Sequence, residues 1–135
     1  MKKLIYRNEG FSLTELLVVI VVIGILILLA LPRFSSIVSK AKETEAKIML
    51  KHLHTLEQSY FFENDTYTNE FVKLGFEQEK LISDQGNARY KIEIKKANAY
   101  EYVATATAVV DFDKDETFNV WTITQEGNPI QTVPD

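Results

Sequence analysis

The chain has 135 residues, which is enough for one small domain with a core of ordinary size. Its 15 basic and 19 acidic residues give a net charge of -4, so the overall charge provides no general attraction to nucleic acid or anionic lipid. It contains no cysteine, which excludes disulfides, zinc-thiolate sites and cysteine nucleophiles.

An apolar run dominates the amino-terminal part of the chain and follows a short basic segment. Residues 11–32 would form a helix of about 33 Å, which matches a bilayer core of about 30 Å. Lys2, Lys3 and Arg7 precede the run, and such a basic flank stays cytoplasmic, so the rest of the chain is expected across the membrane. A cleaved secretory signal is the competing interpretation, but its apolar core would be only about 7–15 residues long. The run therefore predicts a transmembrane helix.

The helical period continues beyond the apolar run with a different polarity. Apolar residues recur at steps near 3.6, at Val38, Ala46, Met49, Leu53, Leu56 and Tyr60. Charged residues, Glu57 among them, occupy mainly other positions and are assigned to the solvent face. The pattern predicts one helix from about Ser12 to Phe62, and turn-forming residues at positions 63–69 end it.

After the turn, polarity alternates with a period of two, which predicts antiparallel strands. The predicted strands cover residues 89–95, 100–109 and 118–125, with turns at Asn98 and at 127–129 and at most a short fourth strand ending at Val133. In the second strand, Tyr100 and Tyr102 share a face with small alanines, which we expect to let the helix approach closely. The fold class is therefore α+β, with one long amino-terminal helix packed on an antiparallel sheet of three or four strands.

No recognisable catalytic constellation is present, so we predict that the protein is not an enzyme. On a helix, His52 and His54 point about 200° apart and cannot share a metal ion, so they are interpreted as surface or packing residues. The alternating carboxylates of Asp111, Asp113 and Asp115 suit calcium, although a solvated hairpin connection explains the same charges. Calcium is thus an optional ligand and no cofactor is required. No basic patch with interleaved aromatics identifies a nucleic-acid site.

A specific motif surrounds the start of the apolar run. A basic leader ends in Glu9-Gly10, the segment FSLTELL begins at Phe11, and the aliphatic run contains Gly24 and ends at Pro32. The motif resembles the class III signal of type IV pilins and of the pseudopilins of type II secretion. The resemblance implies that a prepilin peptidase cuts after Gly10 and methylates the new amino-terminal Phe11.

The resemblance also divides the chain into parts. These are a leader at residues 1–10, a transmembrane or filament-core helix at 11–34, the amphipathic half of the same helix at 35–62, and a connecting loop with the antiparallel sheet at 63–135. The precursor is expected to cross the bacterial cytoplasmic membrane once, with its soluble domain outside. The assembled filament is expected in the periplasm or on the cell surface.

Glu15 lies one helical turn after the predicted cut. A carboxylate at the edge of an apolar run is costly to desolvate unless it is paired. Cleavage before Phe11 creates an ammonium group one turn away, with which Glu15 can pair inside its own helix. The resemblance implies that in a filament Glu15 pairs instead with a neighbouring subunit's amino terminus, and that the helix loosens near Gly24 and Pro32. Glycine and proline are also common in transmembrane helices generally, so the alternative is that Gly24 and Pro32 have no specific role in assembly.

The resemblance implies a structural filament subunit: a pilin, minor pilin or pseudopilin of a type IV pilus-like or type II secretion filament. The implied partners are copies of itself, other pilins or pseudopilins, the prepilin peptidase, the inner-membrane assembly platform, and membrane lipid before assembly. The lack of cysteine departs from the carboxy-terminal disulfide of many proteobacterial major pilins. The alternative is a membrane-anchored binding protein that never polymerises and uses the acidic segment for calcium.

Overall fold

The computed structural model describes residues 10–112 and 116–134, and the backbone alone for residues 31–36. Residues 1–9 of the predicted leader, and Asp113 and Asp115, lie outside the described residues. The chain divides into two compact units, Met1–Val38 and Ser39–Asp135. The elements in chain order are α1 (Leu13–Asn64), α2 (Phe71–Leu74), a 3-10 turn (Ile82–Asp84), β1 (Tyr90–Ala97), β2 (Tyr102–Ala108), β3 (Val120–Thr124) and β4 (Ile130–Val133).

The amino-terminal unit presents an apolar helical surface. Within the described residues, one segment is long and apolar enough to span a membrane, Leu13–Ala30. A helix satisfies its own backbone polar groups, as a lipid environment requires. Between residues 16 and 29 the large apolar side chains are exposed, from 44% at Val19 to 71% at Leu28. Such a continuous apolar surface needs lipid or other apolar helices to cover it.

α1 ends close to the predicted position, in a turn of polar residues. The side-chain amide of Asn64 donates a hydrogen bond to the Tyr60 carbonyl at 3.0 Å. Asp65 then adopts a left-handed conformation with φ of 55°, and its N–H bonds to the Phe61 carbonyl at 2.8 Å. Asn and Asp tolerate these positions better than most residues, so they satisfy the last helical carbonyls and turn the chain.

The carboxy-terminal unit contains a four-stranded antiparallel sheet in the order β1-β2-β3-β4. The alternation predicted for the strands is confirmed: along β2, Tyr102 and the three alanines are buried while the residues between them are half-buried. Tyr100 was predicted to share that face, which is wrong. It is 88% exposed because it lies in the turn that Asn98 closes by accepting the Tyr100 and Glu101 N–H groups.

The second half of α1 packs on this sheet. The helix contributes Ala46, Leu50 and Leu53 to a core cluster that also contains Trp121 and Ile123 of β3. The remaining buried members come largely from β1 and β2, with the alanines Ala104, Ala106 and Ala108 forming the small face predicted from the sequence. Small side chains allow a helix to lie close to a sheet, so the core is filled mainly by the helix leucines and the sheet aromatics.

One helical residue departs from the predicted pattern. Glu57, assigned to the solvent face, is fully buried. It follows Ala46, Leu50 and Leu53 at alternating steps of four and three residues, which is the spacing of the core stripe itself. A buried carboxyl without a cation is costly, so this position requires a specific environment.

Two sets of side-chain hydrogen bonds hold the start of β1. The Glu45 carboxylate accepts the Arg89 backbone N–H at 2.6 Å and pairs with its guanidinium at 3.1 Å, which anchors the start of β1 to the helix. The Gln78 side-chain amide donates to the Tyr90 carbonyl at 3.2 Å and accepts the Ile92 N–H at 2.9 Å. These two backbone groups belong to an edge strand and lie beside no other strand.

Candidate functional site

The start of α1 is built as a capping box around Ser12 and Glu15. The Glu15 carboxylate accepts the Ser12 backbone N–H and its hydroxyl, both at 2.9 Å, while the Ser12 hydroxyl accepts the Glu15 N–H at 3.2 Å. A serine at the cap with a glutamate three residues later satisfies two backbone N–H groups that would otherwise lack partners. The costly carboxylate at the edge of the apolar run is therefore hydrogen-bonded within its own helix.

The residues flanking the predicted cleavage site are accessible. Phe11 is 80% exposed, and a Cβ placed on Gly10 would meet no atom within 4 Å. The capped carboxylate of Glu15 lies one turn from the backbone that cleavage after Gly10 would convert into an ammonium group. The geometry thus brings together the three residues singled out for processing and assembly: Gly10, Phe11 and Glu15.

The two further residues singled out in this helix remain separate from that cluster. Gly24 is helical, and a Cβ added there would also meet no atom within 4 Å. Pro32 lies within the helical backbone of α1. Their proposed roles in helix loosening stay predictions. A subunit outside a filament is expected to have an intact helix whether or not the helix loosens during assembly.

The acidic connection between β2 and β3 is only partly described. The Asp111 carboxylate accepts the Glu116 N–H at 2.8 Å, and Glu116 has a left-handed φ of 68°. Asp113 and Asp115 lie outside the described residues. Within residues 10–112 and 116–134, no three His, Asp or Glu side chains are grouped as a metal ion would need. Calcium binding stays a prediction.

A second polar cluster, which the sequence did not reveal, lies between α1 and the sheet. His54 Nδ1 and the Tyr102 hydroxyl are 2.5 Å apart, and the other edge of the imidazole faces Gly127. Lys51 donates a hydrogen bond to the Gly127 carbonyl. One turn further along α1, the Glu57 carboxylate accepts the Thr68 N–H at 3.2 Å. The spacing 51, 54 and 57 on one helical stripe is the only sequence signal for this cluster.

The cluster perturbs the titration of its members. Burial lowers the pKa of His54, and the neighbouring Lys51 ammonium lowers it further. Burial raises the pKa of Glu57 to about 7, although the hydrogen bond from Thr68 acts in the opposite direction. Burial also raises the pKa of Tyr102, with smaller contributions from Glu57 and Tyr67. Each shift favours the neutral form of its group, as expected in a poorly solvated interface.

These observations define a class: an α+β protein with a long amino-terminal helix whose capped first half exposes apolar side chains and whose second half packs on an antiparallel sheet. A family profile described as "Type IV minor pilin ComP, DNA uptake sequence receptor" matches residues 32–117, and one described as "Prokaryotic N-terminal methylation motif" matches residues 5–31. The chain belongs to the type IV pilin family, a family of structural proteins rather than enzymes.

Individual relatives agree with this assignment. The chain is 42% identical over 74 residues to "Type IV major pilin protein PilA" of Myxococcus xanthus, covering 55% of this chain and 34% of that protein. It is 30% identical over 102 residues to "Type IV wide pilus major component PilA4" of Thermus thermophilus, covering 73% and 74%. A "Fimbrial protein" of Pseudomonas aeruginosa is 26% identical over 104 residues, covering 73% and 68%. The alignment thus spans about a third of the Myxococcus protein and about two thirds of the Pseudomonas protein.

Proposed function

We propose that the protein is a subunit of a type IV pilus, made as a membrane precursor, cut after Gly10, methylated at Phe11 and polymerised through the first half of α1. The matches to a methylation motif and to named pilins support this assignment. The partners are the prepilin peptidase, the inner-membrane assembly platform and further pilin subunits. Before assembly, lipid of the cytoplasmic membrane surrounds the segment Leu13–Ala30.

The observation that carries this proposal is the combination of a capped Glu15 with an exposed apolar helix. Packing between neighbouring apolar helices replaces lipid contacts and supplies cohesion in the filament core. Charge pairing adds little net affinity when both groups must be desolvated, but it fixes which groups face each other. Glu15 therefore sets the axial register, while the aliphatic side chains hold subunits together.

Glu15 exchanges partners during this process. In the precursor it caps its own helix through Ser12. After cleavage, the ammonium group of Phe11 provides a stronger, charge-assisted partner, either in the same subunit or in its neighbour. The capping box keeps the carboxylate satisfied in the membrane until that partner exists.

Mass spectrometry of the mature amino terminus in the native host tests the processing step. The expected result is a chain that begins at methylated Phe11. A chain that begins at Met1 would contradict processing, and one that begins near Lys42 would indicate an ordinary secretory signal.

Two substitutions at one position separate the capping role of Glu15 from its charge. Glu15→Gln keeps a carbonyl oxygen that accepts from Ser12, whereas Glu15→Ala removes both the acceptor and the charge. If charge pairing sets the register, both variants insert and are cut like the wild type but yield few filaments by shearing and electron microscopy. Thr14→Ala, an exposed neighbour, is the matched control and should assemble normally. Normal filaments from Glu15→Gln would contradict the role of the charge.

The relatives described above are pilins and a fimbrial protein, which favours a pilus over a type II secretion pseudopilus. The surface of β1 gives little support for the DNA uptake role named in the family profile. The three lysines of β1 each pair with a carboxylate, Lys91 and Lys95 with Glu93, and Lys96 with Glu101. The two carboxylates offset two of the three ammonium charges, which leaves little basic surface on this strand for a nucleic-acid backbone.

A further inference from the structure

The buried Glu57 carboxyl is not used by the assembly site at the start of α1. It is fully buried, and among the described residues no lysine or arginine pairs with it. One of its oxygens accepts the Thr68 N–H, whereas the other is buried without a hydrogen-bond partner. An ionised carboxylate in this position would lack most of its solvation, so its surroundings suit the protonated form.

The segment that Glu57 contacts joins the helix to the sheet. Thr68 is itself buried, and its hydroxyl accepts the Glu70 N–H at 3.2 Å. The preceding residue, Tyr67, donates its N–H to the Asn98 carbonyl at 3.1 Å, so the same segment also reaches the turn between β1 and β2. One carboxyl group therefore fastens α1 to a connection that is in turn attached to the sheet.

Aromatic rings complete this attachment. The Tyr67 ring stacks on Phe61 with centroids 4.7 Å apart and lies 5.0 Å from the ring of Tyr102. If the connection leaves the helix, the stacking of Tyr67 on Phe61 is lost and the Phe61 ring becomes more exposed near the end of α1. The state of this connection thus controls the surface at the carboxy-terminal end of α1.

We propose that Glu57 is a proton-controlled latch: protonated, it holds residues 65–70 against α1, and ionised, it releases them. The groups that face it limit how the charge can be compensated. Tyr102 faces it from β2 and carries no positive charge. On α1, His54 is directed to Tyr102, and Lys51 is directed to the Gly127 carbonyl at the β3–β4 turn.

The direction of the pH effect follows from the raised pKa of Glu57. Its pKa is about 7 in the closed state, against an ordinary value of 4.5 when the carboxyl is solvated. The closed state therefore binds the proton more tightly, and it is favoured at low pH and progressively lost as the pH rises from about 4.5 through 7. Between pH 5.5 and 8.5, the closed population relative to the open one should fall roughly tenfold to thirtyfold.

Hydrogen exchange of the full-length protein in detergent micelles tests the latch. The protection factor of the Thr68 amide, corrected for the intrinsic pH dependence of exchange, should fall roughly tenfold to thirtyfold from pH 5.5 to 8.5. The amide of Ala106 in the central strand β2 is the internal reference and should change little. Equal protection of Thr68 at both pH values would overturn the proposal.

A matched pair of variants assigns the effect to Glu57. Glu57→Gln retains a carbonyl acceptor for Thr68 but does not titrate, so its Thr68 protection should not depend on pH. Glu63→Gln removes the same charge from an exposed position on the same helix and should behave like the wild type. Wild-type pH dependence in Glu57→Gln would refute the assignment.

A direct titration keeps the proposal testable if Glu57→Gln does not fold. The ¹³C resonance of the Glu57 carboxyl in the wild-type protein should titrate with a midpoint well above 4.5, the ordinary value of a solvated glutamate carboxyl. A midpoint near 4.5 would show that the buried carboxyl is already ionised in the closed state and would overturn the latch. Release of residues 65–70 is independent of filament assembly, so failure of this test leaves the proposed pilus function unaffected.

Discussion

Gly127→Ala tests whether the contact between the β3–β4 turn and His54 positions the second half of α1. Gly127 has a φ of 76°, a conformation that costs alanine about 1 kcal/mol. Part of this cost is offset because an unfolded chain with alanine loses less conformational entropy on folding than one with glycine. A Cβ at this position would lie 2.6 Å from His54 Nε2, so the imidazole must move. Moving the imidazole breaks its contact with the Tyr102 hydroxyl. Leaving this buried hydroxyl without a partner adds about 2 kcal/mol to the cost of the substitution.

The total expected loss for Gly127→Ala is about 2–3 kcal/mol, because the entropy gain offsets part of the backbone cost. The matched control is Gly75→Ala, which has a similar φ of 67° but no atom within 4 Å of the added Cβ. This control should lose only about 1 kcal/mol, from backbone strain. For a unit of this size, about 1 kcal/mol corresponds to roughly 4–8 °C, so the two melting temperatures should differ by about 10 °C. Circular dichroism of the full-length protein in detergent measures both.

A double-mutant cycle with His54→Ala isolates the contact. In the His54→Ala background the added methyl meets no imidazole, so Gly127→Ala should then cost no more than Gly75→Ala does in the wild type. The reasoning fails if the two glycine variants melt at the same temperature, or if removal of His54 leaves the cost of Gly127→Ala unchanged.

Two further predictions concern the core and the acidic connection. Leu50→Ala should destabilise the protein by about 4 kcal/mol, because the alanines of the core cluster cannot fill the cavity. Ile48, which is 63% exposed, is the control, and Ile48→Ala should change stability by less than about 1 kcal/mol. Equal melting temperatures of the two variants would contradict this view of the core. Calcium titrated into the full-length protein should release heat. This heat should disappear when three carboxylates become amides, whereas the control Asp84→Asn should still release it. No heat in the wild type would rule the site out. The three carboxylates are those of Asp111, Asp113 and Asp115.

The long helix and the sheet were predictable because both follow from local periodicity. The helix was expected from Ser12 to Phe62 and is observed over Leu13–Asn64, and the fourth, short strand is Ile130–Val133. Patterns of 3.6 and 2 residues reflect which side chains face the core, and the core is where most of the free energy of folding arises. Tyr100 was misplaced because the alternation continued into the turn that Asn98 closes.

The prediction that Glu57 faces solvent rested on its residue type, whereas the helical register of α1 places this position on the buried face. Its spacing from Leu50 and Leu53 places it on the buried stripe, but a glutamate there is unfavourable unless a partner is available. That partner, the Thr68 N–H, belongs to a turn whose path is not encoded in any local pattern. The same limit applies to Glu45 and Arg89, which meet across a separation of 44 residues.

At the start of α1, the sequence motif indicated Glu15, and the structure added how its carboxylate is held by Ser12. The pairing has the form of a capping box, whose signature is a serine followed three residues later by a glutamate. A pairing partner on a neighbouring subunit, as the proposed assembly requires, would leave no such local pattern.

The Gln78 amide bears on how a protein with an exposed sheet edge avoids polymerising through that edge. An open strand edge offers backbone groups on which another chain can grow a sheet without limit, as in amyloid. By occupying the Tyr90 carbonyl and the Ile92 N–H, Gln78 takes the place of an incoming strand at that edge. Growth by sheet addition is thereby obstructed at β1, whereas the apolar side chains of residues 16–29 stay exposed, so subunit contacts in a pilus are expected to form through the helix instead.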